Sequence, residues 1–166
     1  MSSALDGYIF CAKKNLDYGK RLVADLTEKQ MTLQPAPSGE APSNHPAWVL
    51  SHLNVYMPLL SLVMDGKSFE DPKDHEFGMQ SKPLADASVY ASKDQLIGDY
   101  VASHEKIISQ LESADLSVLE TPVQLPRWQT VMPTVGVCLP YLLCNHENMH
   151  LGQISAWRRI QGLPSV

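Results

Sequence analysis

Two histidines four residues apart, His146 and His150, lie in a region of apolar spacing near the end of the 166-residue chain. On an α-helix that spacing separates two side chains by about 40° and one turn of height, so both imidazoles can reach a single ion. The inward stripe that carries them runs through Leu139, Leu142 or Leu143, His146, His150, Gln153, Trp157 and Ile160. A polar group buried there without a partner costs on the order of 1–3 kcal/mol, and metal ligation removes that cost. His52 holds a matching inward position between Trp48 and Tyr56 on a separate apolar segment. Three imidazoles suit zinc, nickel, iron or copper, and three protein ligands leave positions for water or substrate, as in catalytic rather than closed structural sites.

The string His146-Glu147-Asn148-Met149-His150 also matches H-E-x-x-H, the zinc-protease pattern in which the glutamate activates a metal-bound water. A metzincin would continue H-x-x-G-x-x-H, but Gly152 comes too early and position 156 is Ala156. No acidic residue follows His150, and no strand pattern precedes it, so a protease is disfavoured. Glu147 stands about 100° around a regular helix from His146. It is read either as a proton-transfer group beside the metal or as a solvent-facing or inter-helix residue. His104, on an inward stripe of its own, is a fourth ligand, a proton shuttle or a core histidine with satisfied hydrogen bonds, the last being favoured. Glu147 and His104 are therefore the candidate catalytic groups. His45, beside Pro46, is expected to cap or precede a helix, and His75 to lie in an acidic loop, both exposed.

Four segments with the apolar spacing of amphipathic helices must position these groups, and no segment alternates long enough for a sheet. The fold class expected is all-α. Segment one, about Ser3 to Thr27, places Leu5, Ile9, Ala12, Leu16, Val23 and Leu26 on one stripe. A proline-rich connection, QPAPSGEAPSN, leads to segment two, about Pro46 to Met64, with Pro46 suited to a first turn, Gly66 to the stop, and Pro58 to a bend. From Asp65 to about Ala91 the chain is rich in Gly, Pro, Asp and Ser, a length expected of a loop that covers a site or crosses the bundle. Segment three opens with Ser92-Lys93-Asp94-Gln95, a capping-box pattern, and runs to about Ser113. Segment four spans about Val135 to Gln161, with Pro140 near its beginning and Gly162-Leu163-Pro164 as its stop. Loops of such unequal length predict a four-helix bundle with a long crossover, as one domain over residues 1–166.

Composition narrows the functional classes. An apolar fraction of 44% and a charged fraction of 19% are those of a folded globular chain rather than a disordered one. The net charge of −5 and scattered Lys and Arg offer no basic stripe for nucleic acid. The N-terminus has no signal-peptide pattern, and no unbroken run reaches the eighteen or so apolar residues of a membrane span, so a cytoplasmic location is expected. Cys11, Cys138 and Cys144 form no C-x-x-C pair and are predicted to be free thiols, buried as small apolar residues.

Trp48-x-x-x-His52-Leu53, the loop Phe77-Gly78-Met79-Gln80-Ser81-Lys82-Pro83, and His146-Glu147-x-x-His150-x-Gly152-Gln153-Ile154 leading to Trp157-Arg158-Arg159 together resemble the DinB-like superfamily over most of the chain. The resemblance implies an up-down-down-up bundle in which helices two and three run parallel, a metal held by His52, His146 and His150, and a homodimer. It also implies that some relatives transfer or isomerise small molecules with low-molecular-weight thiols. The expectation is a metal-dependent enzyme, with zinc or nickel lowering the pKa of a thiol or water that attacks a small-molecule substrate. Gln153 and Arg158 are the candidate cofactor-binding residues, the arginine for a carboxylate of such a thiol. The alternative is a non-catalytic metal-binding or stress-response bundle.

Overall fold

The computed structural model describes residues 4–34 and 43–166. The expected helix start at Ser3 and most of the proline-rich connection, residues 35–42, lie outside the described residues. Four long helices dominate: α1 (Ala4–Ala24), α2 (Pro46–Met64), α3 (Lys93–Ser113) and α4, residues 135–160. Among the described residues there is no β-strand, only an isolated antiparallel bridge between Pro122 and Thr134.

Side-chain contacts give each helix its direction. Lys13 pairs with Glu112, whereas Lys93 donates to the Ala24 and Leu26 carbonyls, so α1 and α3 are antiparallel. Asn54 donates to Leu96 O, and Gln110 donates to Ser61 O and Asp65, so α2 and α3 are parallel. Asn15 bonds Leu143 O and Arg158 bonds Leu22 O, making α1 and α4 parallel. This is the up-down-down-up order. Parallel neighbours require the intervening chain to travel the length of the bundle, which explains the long connection after Asp65.

That crossover is fastened to one face of α2. His45 Nε2–H donates to Leu84 O at 2.9 Å, Trp48 Nε1–H to Ser81 Oγ at 3.1 Å, and His52 Nδ1–H to Phe77 O at 2.7 Å. Gly78 lets the loop turn this tightly, since a Cβ there would lie 2.1 Å from Pro72 O. His45 caps α2 as expected, its Nδ1 accepting from Trp48 N–H, but it is buried rather than exposed because the crossover covers it. The helix continues through Pro58. By length and composition α2 is apolar enough to cross a membrane, although it holds no unbroken apolar run, and 72% of that window is buried inside the bundle. Its apolar surface is spent on the core.

Two local expectations are corrected. At the start of α3, Ser92 Oγ accepts from Gln95 N–H, but the Gln95 side chain bonds Asp99 instead of returning to the cap. The Glu28 carboxylate accepts from the N–H of the next residue, Lys93. Of the cysteines, only Cys138 is buried; Cys11 is partly buried and Cys144 exposed.

Pro140 neither starts α4 nor ends it. The helix is α-helical over Val135–Leu139, π-helical over Pro140–His146, and α-helical again over Glu147–Ile160. Proline lacks an N–H and its ring crowds the preceding turn; the wider π turn absorbs both, with Glu147 N–H reaching back to Leu142 O. One extra residue per turn re-phases everything that follows. The inward face becomes Glu147, His150, Leu151, Ile154, Trp157 and Arg158, while Ile160, expected on the stripe, is 65% exposed.

Candidate metal centre

Three helical stretches supply the three rings. His52 comes from the middle of α2, His146 is the last residue of the π stretch, and His150 lies one turn into the α-helix that follows. Their ring centroids are 4.5–5.1 Å apart, and one ligand atom from each lies within 4.8 Å of the others. His52 and His146 approach most closely, Nε2 to Nε2, at 3.1 Å. Two nitrogens bound to one tetrahedral zinc at about 2.05 Å would stand about 3.3 Å apart, so the spacing fits a shared ion.

Hydrogen bonds orient two of the rings. A backbone carbonyl can only accept, so His52 Nδ1 carries the proton it gives to Phe77 O and leaves the Nε2 lone pair free. His150 Nδ1–H donates to Gln153 Oε1 at 2.9 Å, and Asn44 donates to the same oxygen at 2.9 Å, fixing the amide. A partner on the far nitrogen fixes ring and tautomer in this way at many metal sites. His146 differs: its Nδ1 is buried with no hydrogen-bond partner among the described residues. Burial, reinforced by the neighbouring rings, holds His52 at about 4 and His146 at about 3, and burial also lowers His150. All three are neutral at pH 7, the form that binds metal. The donor set and its spacing fit a divalent transition metal.

These rings form the floor of a cavity of about 640 Å³. Aromatic and sulfur-containing side chains wall it, among them Trp48, Tyr56, Trp128 and Met132. Trp48 stacks on His52 with centroids 4.9 Å apart, and Tyr56 lies 4.7 Å from the same ring on its other side. Exposed Met79, Val131, Tyr141 and Met149 line it as well, an apolar surface left open to solvent. A larger cavity of about 880 Å³ lies under the crossover and is lined by none of the three clustered histidines.

The other candidates stand elsewhere. Glu147 and His104 do not line the histidine cavity; both are fully buried and joined to each other. Glu147 Oε1 accepts from Tyr100 O–H at 2.6 Å and from His104 Nε2–H at 2.7 Å, and Oε2 accepts from Asn15 at 2.9 Å. His104 Nδ1 also faces a carbonyl, that of Tyr100, at 2.8 Å. Both ring nitrogens therefore donate. That is the imidazolium form, and although burial alone would lower the pKa of His104, the hydrogen bond and charge of Glu147 outweigh it and raise it. The two residues expected as catalytic groups thus stand apart from the histidine cavity, because the helix turn that aims His146 at the cavity aims Glu147 at α1 and α3. Arg158 is buried, bonds the Asp25 carboxylate and the Leu22 and Pro164 carbonyls, and does not line the cavity. Gln153 stands behind His150 and does not line it either.

Residues that the sequence pattern did not single out complete the cavity. Trp128 and Arg127 come from a one-turn helix, Pro126–Gln129, in the connection between α3 and α4. A tryptophan inside a polar connecting segment, just after a turn-initiating proline, was the available signal.

Fold and site together define an up-down-down-up helical bundle with a three-histidine cluster opening into an apolar cavity. The chain belongs to the DinB superfamily, whose family profile matches residues 16–154. Among solved structures it is similar to a conserved protein from Enterococcus faecalis, with a TM-score of 0.71 and 19% identity, over 96% of this chain and 98% of that one. A comparison with curated proteins found no match.

Proposed function

We propose that the protein is a metal-dependent enzyme acting on a small molecule, with His52, His146 and His150 holding one divalent ion, zinc or nickel. The observation that carries this is the convergence of three neutral imidazoles, ligand atoms within 4.8 Å of one another, at the floor of an open apolar cavity. Three ligands leave coordination positions facing that cavity. When bound, the ion would lower the pKa of a coordinated thiol or water and so supply a nucleophile near pH 7. The chain's own residues do the rest. Phe77 O and Gln153 hold two ligand rings, and Trp48 and Tyr56 exclude water from their faces. A low-molecular-weight thiol fits the proposal as co-substrate through the chemistry of some superfamily members, and a homodimer is proposed on the same ground.

Metal analysis of protein purified without a histidine tag tests the centre. About one equivalent of zinc or nickel is expected, and none in His150→Ala. Turnover of thiol-transfer or hydrolysis substrates by the loaded protein, lost in the same variant, is expected of an enzyme. Stoichiometric metal with no turnover in any metal form would favour the second reading, a non-catalytic metal-binding module. One observation speaks for that reading: among the described residues no carboxylate lines the cavity to serve as a general base.

A further inference from the structure

The cavity above the histidines has a distinctive charge pattern. Arg127 is its one permanently charged lining residue, and no Asp, Glu or Lys lines it among the described residues. Asp71 grips the guanidinium side-on, with Nε donating at 2.6 Å to one oxygen and Nη2 to the other. Yet Asp71 lines the neighbouring cavity under the crossover rather than this one. The pair therefore holds the arginine rigidly from behind, and Nη1, with no partner among the described residues, remains as a donor group.

Beside it stand two aromatic rings of the cavity wall: Tyr56 and Trp128 lie nearly parallel, at 10° with centroids 6.3 Å apart, and Trp128 adjoins Arg127 in sequence.

We infer that the cavity binds a ring-bearing organic carboxylate, its carboxylate on Arg127, its apolar body along Tyr56 and Trp128, and its far end at the three histidines. The volume of about 640 Å³ lies within the range of pockets for molecules of that size. The assignment rests on the proposed metal-centred function only for what meets the ligand's far end. Asp71 acts as a positioning residue, since it fixes the guanidinium without touching the ligand.

Calorimetric titration with 3-phenylpropionate and with its neutral amide tests this, in both zinc-loaded and metal-free protein. The carboxylate is expected to bind about tenfold or more tighter than the amide in both forms. In Arg127→Gln the two probes should bind equally, with the amide changed less than about threefold, and Asp71→Asn should keep a preference for the carboxylate. Raising ionic strength about tenfold on the unaltered protein should weaken the carboxylate alone, a check that needs no variant. Equal affinities in the unaltered protein, or a preference that survives Arg127→Gln, would overturn the inference. Zinc bound without a carboxylate preference leaves the metal centre standing and removes the anion site. A preference in protein that binds no zinc does the reverse.

Discussion

Two polar clusters lie side by side along α4, one around His146 and one around Glu147, adjacent residues pointing to different faces of the helix. In the Glu147 cluster the carboxylate receives Asn15, Tyr100 and His104, and both His104 nitrogens are engaged. In the His146 cluster three rings converge, two nitrogens sit 3.1 Å apart, and His146 Nδ1 has no partner among the described residues. A closed set of hydrogen bonds in a core fixes how helices pack. A set with free lone pairs aimed at one point and a cavity beside it asks for a ligand. Histidine occurs in both, so residue type does not separate them; the accounting of donors and acceptors does.

The largest effect that would break this contrast is on stability. Glu147→Ala should cost about 3–5 kcal/mol, because it strands a buried imidazolium, an amide and a phenol. For a chain of this size that is a drop of roughly 6–20 °C in Tm by thermal denaturation. His146→Ala in metal-free protein should cost much less, since the lost ring has an unpaired nitrogen. If the two variants lose equal stability without metal, the division between structural and ligand clusters fails.

Metal affinity should show the opposite order. His146→Ala is expected to weaken zinc binding by more than about 100-fold in competitive chelator titrations. Gln153→Ala, which frees the far nitrogen of His150, should weaken it by about 10–100-fold, the usual consequence of losing a group that orients a ligand. An unchanged affinity in the glutamine variant would mean that the Gln153 contact does not set the ring.

The smallest and most discriminating effect is on pH dependence, where the clusters carry opposite signs. His52 at about 4 and His146 at about 3 lie below the unfolded value near 6.5. Their contribution to metal-free stability is complete above that value and is lost as pH falls through 6.5 toward 4 and 3, because the unfolded chain takes up protons that the native rings refuse. His104 is raised, so its contribution is complete below 6.5 and is lost as pH rises through its native pKa. Urea denaturation across pH should therefore show stability falling on both sides. His104→Asn should flatten the alkaline side and leave the acid side sloping; a flattened acid side instead would reverse the assignment of the two clusters.

Much of this was legible in one dimension. Periodicity marked the four long helices and their stops, and spacing marked His146 and His150 as partners on one face. The pairing with His52 followed from an inward histidine on a second apolar segment. What misled was the assumption of an unbroken 3.6-residue period through Pro140. The π turn shifts the following phase, so Glu147 and Arg158, which pattern alone leaves outside the apolar stripe, are the buried ones, and Ile160 is outside.

Composition and period thus determined the helices and the His146–His150 pair, because both depend on residues close in sequence. Tertiary structure decided what each polar group is for. Whether a carboxylate meets a histidine 43 residues away or opens to a cavity depends on helix phase and on which neighbours pack against it. The same holds for Arg127, which pattern passed over in a connecting segment and the fold carries to the wall above the three histidines.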